Sequence, residues 1–181
     1  MTRMTLVGVD PGVVDTGVVA IRLDTHAREW RIKSKTWTGV SFRDPKTRAL
    51  TSLSVEFRKG LEKFVKHEED LAPTFAGVEG YQQRGNNVRQ DQDMLYMVRE
   101  IAKLLPGSQV VPNTGIKNVV TRDMLKLFQV HRFPGSDNHA DRVSAARVAL
   151  KIGISIPVLN EILYTFVIDN VEGEPWQLVS T

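Results

Sequence analysis

The stretch TLVGVDPGVVDTGVVAIRL, Thr5 to Leu23, constrains the fold more than any other. Two apolar, β-branched runs stand on either side of a Pro-Gly turn, and runs of this kind read as strands meant for burial. The first of them ends on Asp10. A carboxylate at the end of a buried strand is costly unless something compensates its charge, so the position needs explaining. The segment TFAGVE, Thr74 to Glu79, repeats the arrangement: a short apolar strand between Pro73 and Gly80 that also ends on an acid.

The rest of the chain supplies the elements around these strands. A third strand is expected over 30–38 and a buried fourth at 109–112. Helical spacing of Leu50, Leu53, Phe57, Leu61, Phe64 and Val65 predicts an amphipathic helix from Pro45 to about Lys66. A second helix over 87–105 carries Val88, Leu95, Val98, Ile101, Ala102 and Leu105 on one stripe and stops at Pro106-Gly107. The polar segment that follows turns helical from Thr121, and SDNHADRVSAARVALKIG opens with capping residues and runs into an alanine-rich helix ending near Gly153. The order predicts a mixed α/β sheet of five strands, three antiparallel and two parallel, with helices on its faces. The expected organisation is one domain over 1–153, with 154–181 as a tail extension of unassigned secondary structure packed on the same domain.

Composition narrows the function classes. The 181 residues include no cysteine, so disulfides and thiolate zinc sites are excluded and any metal must use oxygen or imidazole ligands. No run of roughly 18 apolar residues suggests a membrane span, and the start MTRMTLVGVD lacks a signal-peptide pattern. The expectation is a soluble cytoplasmic protein. The net charge is only +3, but it is unevenly spread, with Lys and Arg concentrated in 22–66 and absent from 152–181. Such asymmetry suits a polyanion-binding face, and equally the solvated side of a strand.

If the strands ending at Asp10 and Glu79 are parallel neighbours, the two carboxylates lie side by side at one sheet edge, where ligand sites in such sheets gather. Asp141 would join them from the last helix, on the face shared with Ala145, Val148 and Ile152. Each acid alone is also an ordinary turn or capping residue. Together they would repel one another unless a cation lay between them, and an all-oxygen donor set suits Mg²⁺ or Mn²⁺, with paired ions the arrangement used in phosphodiester hydrolysis.

The ordered motifs GVDPGVVDTGVVAI, GVEGYQQRGNN and HADRVSAARVAL resemble the three acidic motifs of RuvC-type Holliday-junction resolvases, members of the ribonuclease H-like superfamily, over about residues 5 to 152. The Ser-Ala-Ala-Arg helix looks more like phage-encoded members, which would place the protein in a bacterium or a phage-infected host cell. The resemblance implies a homodimeric, Mg²⁺-dependent endonuclease, with two ions per site, that nicks two strands of a four-way DNA junction. Asp10, Glu79 and Asp141 match three of its four acids. The fourth position is Asn138 here, which leaves Asp137 or His139 to complete the site, His139 also as a proton donor. Lys117 is similar to the family's basic residues near the scissile phosphate, with Arg122 close to it in sequence. Tyr81, Gln82, Arg84 and Arg89 fall in a junction-contacting loop, although the aromatic stands one place early for the family's wedge. Met94 and Met97 widen the second helix's stripe, which suits a dimer contact and equally the core. Two rivals remain: a junction-binding protein whose nuclease has decayed, and an ATP-binding domain of the actin, chaperone and sugar-kinase group, whose phosphate hairpin the first motif also resembles. The latter group needs a second such domain, for which this chain has no room.

Overall fold

β1 (Arg3–Asp10) and β2 (Asp15–Asp24) form an antiparallel hairpin, and β3 (Glu29–Thr38) pairs antiparallel with β2. On the other side of β1, β6 (Thr74–Gly80) runs parallel to it, and β7 (Gln109–Pro112) parallel to β6. This is the mixed sheet expected from the sequence, in the computed structural model of the protein, which describes residues 2–69, 71–83, 85, 87–133 and 139–179, the side chain of His139 excepted. A sixth strand, β8 (Gln177–Leu178), extends the sheet beyond β3 to give the order β7-β6-β1-β2-β3-β8.

Side-chain alternation along β1 divides the core between two helical layers. Val7 and Val9 face α1 (Val55–Glu69) and α2 (Val88–Leu104), in a cluster with Phe57, Leu61, Met97 and Ile101. Met4 and Leu6 face α5 (His139–Ser155) and α6 (Pro157–Glu172), with Ala145, Ala149, Leu159 and Phe166. α5 lies unusually close to the sheet, because glycines and alanines meet there. A Cβ built on Gly8 would stand 1.8 Å from the Ala145 carbonyl oxygen, and one on Gly17 2.6 Å from the Asp141 carbonyl carbon. No other residue fits at either position without moving the helix.

Three local expectations are corrected. The first helix begins at Val55, not near Pro45, because the Ser54 hydroxyl accepts from the Phe57 N–H and caps it. The residues before it instead form a hairpin of β4 (Ser41–Arg43) and β5 (Leu50–Leu53), in which Leu50 and Leu53 are strand residues. On α2 the buried stripe is Met97, Val98 and Ile101, while Val88 and Leu95 are exposed and Met94 is half-buried. Of the two readings of Met97, its full burial selects the core. Short helices α3 (Ile116–Val119) and α4 (Arg122–Leu127) follow β7, the second capped by Thr121.

The tail is ordered by aromatic packing. Phe166 on α6 stacks on Phe128 at 4.2 Å, and Trp176 meets Phe166 edge-on at 5.2 Å while its indole N–H donates to Asp169. Among the described residues no single helix is long and apolar enough to cross a membrane.

Candidate active site

The register of the parallel pair decides where the acids stand. Val9 is level with Val78, so the next residues, Asp10 at the end of β1 and Glu79 one before the end of β6, stand side by side. In the antiparallel pair Asp10 is level with Gly17, and Asp15 lies two residues beyond Gly17 on β2. Strand periodicity of two puts Asp10 on the side of Gly8, Glu79 on the side of Gly77, and Asp15 on the side of Gly17. Those three glycines all face α5. The helix then brings Asp141 down on Gly17, and four carboxylates share one end of one sheet face.

Their electrostatics follow from that crowding. Burial, then the adjoining Glu79 carboxylate, which also shares a hydrogen bond with it, push the Asp10 carboxyl from its ordinary 3.8 up to about 9; Asp141 adds to the rise, and a hydrogen bond with Ser144 opposes it. Asp141 is raised too, by burial and then by Asp15. The acids thus form a chain, Glu79 to Asp10 to Asp141 to Asp15. The Asp15 Oδ1 atom is buried, with no hydrogen-bond partner among the described residues. Among the described residues no three acidic or histidine side chains are drawn tightly enough to close around one ion as they stand. The donor set nevertheless fits a hard divalent cation: it is all oxygen, it carries excess negative charge, and one buried oxygen lacks a partner among the described residues.

Asp15 and Ser144 were not singled out in the sequence. The signal for Asp15 was its place just across the Pro-Gly turn from Asp10; for Ser144 it was a polar residue one turn after Asp141 in an otherwise alanine-rich helix. Of the other candidates, Asp137, Asn138 and Arg84 lie outside the described residues, as does the side chain of His139. Lys117 is exposed in the first turn of α3, after β7, whose Val111 is level with Glu79, so it stands beyond the same sheet edge. Arg122 is exposed at the start of α4. Gln82 accepts from the Thr114 hydroxyl at 3.0 Å, tying together the loops after β6 and β7.

Tyr81 is not presented as a wedge. It is half-buried against the α1–α2 layer, and its hydroxyl donates to Asp91 at 2.7 Å while the Gly85 N–H donates to the same carboxylate. This side chain holds the loop in place. Arg89 donates to the Thr47 carbonyl of the β4–β5 hairpin at 2.9 Å.

A mixed sheet of this order, with an acidic edge under a close-packed helix, has the ribonuclease H-like fold. Among solved structures it is similar to Thermus thermophilus RuvC in complex with a Holliday junction substrate, with a TM-score of 0.54, 14% identity, and coverage of 90% of this chain and 95% of that one. A second T. thermophilus RuvC structure aligns at TM-score 0.48 and 13% identity, covering 90% and 95% of the two chains. The human cytomegalovirus terminase nuclease domain aligns at 0.38 and 14%, covering 86% and 84%. No protein-family model and no curated protein matches the sequence. At these identities the likeness is one of fold.

Proposed function

We propose that this protein is a divalent-metal-dependent endonuclease that resolves branched DNA, acting as a homodimer on four-way junctions. The observation that carries the reading is the meeting of Asp10, Glu79 and Asp141 at one sheet edge, in a fold similar to that of a RuvC bound to a Holliday junction. Ionised carboxylates gathered in one buried place repel one another, and a phosphodiester substrate would worsen that repulsion unless cations intervened.

Asp10, Glu79 and Asp141, with Asp15 behind them, would hold Mg²⁺ or Mn²⁺. Bound there, the ions supply Lewis acidity for activating water and for stabilising the departing 3′ oxygen. The chain's own part is to fix the carboxylates. β1 and β6 set Asp10 and Glu79 level, Gly17 lets Asp141 approach, and Ser144 orients Asp10. Lys117, beyond the same edge, would bind the phosphate chain and offset its charge. An apolar groove along α2, lined by Leu95, Val98, Ala102 and Val110, supports pairing with a second copy, which would set two sites against two strands.

The test is a cleavage assay on a four-way junction, beside linear duplex, flap and RNA–DNA hybrid. Wild type should bind the junction without metal and cut it only with Mg²⁺ or Mn²⁺, and Asp10→Asn should bind and not cut. Normal cutting by Asp10→Asn would refute the site. Binding without cutting by wild type in every metal would make the protein a junction binder only.

A further inference from the structure

The β4–β5 hairpin has no part in the acidic site, yet it is fastened beside it with more contacts than a short surface hairpin needs. Two short strands alone are marginally stable. Here the Ser41 hydroxyl donates to the Val13 carbonyl of the β1–β2 turn at 2.9 Å, the Arg43 guanidinium pairs with Asp93 of α2 at 2.8 Å, and the Tyr96 hydroxyl donates to the Thr51 carbonyl at 3.0 Å. Arg89 holds the Thr47 carbonyl from below.

The tip is equally well set. The Asp44 carboxylate accepts from the Lys46 N–H, the Thr47 N–H and the Thr47 hydroxyl, and the Arg48 N–H donates to the Asp44 carbonyl, with Arg48 in the left-handed region at φ 62°. Two cations project from this rigid turn. The side chains of Lys46 and Arg48 are exposed and make no hydrogen bond or ion pair among the described residues.

Between hairpin, β1–β2 turn and α2 runs a cleft of about 720 Å³. Arg43, Arg48 and Arg89 line it together with Asp15, Asp93 and Asp141, Asp93 being the acid already paired with Arg43. A ligand filling this cleft must satisfy Arg48, unpaired among the described residues, and tolerate the carboxylates. A phosphodiester chain meets both demands if its reacting phosphate sits at the acids with their cations and a neighbouring phosphate reaches Arg48.

We infer that the β4–β5 hairpin is a backbone clamp for the nucleic acid strand entering the acidic site, with Arg48 as its phosphate-binding side chain and Lys46 in support. This rests on the nuclease reading and assigns its substrate a second point of contact. Arg43 and Arg89 are positioning residues that hold the hairpin.

The test measures anisotropy of a labelled four-way junction in EDTA across a salt series, for full-length wild type, Arg48→Ala, Arg48→Lys and Lys46→Ala, with thermal unfolding of each. Arg48→Ala should bind about two- to tenfold more weakly, with a log-log salt slope shallower by about one, an unchanged unfolding midpoint, and substantial rescue by Arg48→Lys. Lys46→Ala should show a smaller loss in the same direction. Unchanged affinity and slope in Arg48→Ala, with wild type binding normally, would overturn the clamp and leave the nuclease reading standing. Wild type that binds no DNA but retains a poly-glutamate peptide through Arg48 would overturn both.

Discussion

Replacing Asp10 by asparagine separates the electrostatic account of the site from a merely structural one. In the folded chain the Asp10 carboxyl is raised from 3.8 to about 9, by burial and then by Glu79. The folded state therefore keeps a proton that the unfolded chain gives up above pH 3.8, so stability must fall as pH rises through that window. Each pH unit inside it is worth about 1.4 kcal/mol. Between about pH 5 and about pH 8 this gives a ceiling near 4 kcal/mol. Asparagine offers Glu79 the same hydrogen-bond donation as the protonated acid and does not titrate. Asp10→Asn should therefore have a shallow pH dependence, retaining only the part due to the raised Asp141, and should be the more stable protein at pH 8 in EDTA. Mg²⁺ at about a hundred times its Kd should add about 2.7 kcal/mol to wild type at pH 8 and much less to Asp10→Asn. Urea unfolding followed by tryptophan fluorescence reads all of this, since Trp30 and Trp176 are buried. Parallel pH profiles for the two proteins would refute the claim that Asp10 is held against its charge.

Two further outcomes follow from particular contacts. Gly8→Ala drives a methyl into the Ala145 carbonyl and the Ala149 backbone nitrogen, so it should cost about 3 kcal/mol or more and, by lifting Asp141, reduce cleavage; an unfolding midpoint like wild type's would mean that α5 yields freely. Tyr81→Phe keeps the ring and loses the hydroxyl bond to Asp91, so unfolding should become easier by about 1–2 kcal/mol while junction affinity stays within about twofold; weaker binding without lost stability would assign the hydroxyl to DNA instead.

The sequence by itself determined the strands and their acids. Strand periodicity and β-branched content are local properties, so β1, β2, β3, β6 and β7 could be read directly, as could the face of α5 that carries Asp141. The hairpin of β4 and β5 could not. Leu50 and Leu53 satisfy a helical period with Phe57 as well as a strand, and the choice fell to partners distant in the chain, Val13, Asp93 and Tyr96. The same holds for the tail, whose helix and final strand are fixed by stacking on Phe128 and pairing with β3. The bond from the Tyr81 hydroxyl to Asp91 likewise depends on how the loop after β6 meets α2. Asp15 was one acid among many until Gly17 allowed α5 to descend beside it. An acid's place along a strand is set by neighbours in sequence, but the charges it must share space with are set by how closely a helix can pack, and only the tertiary structure decides that.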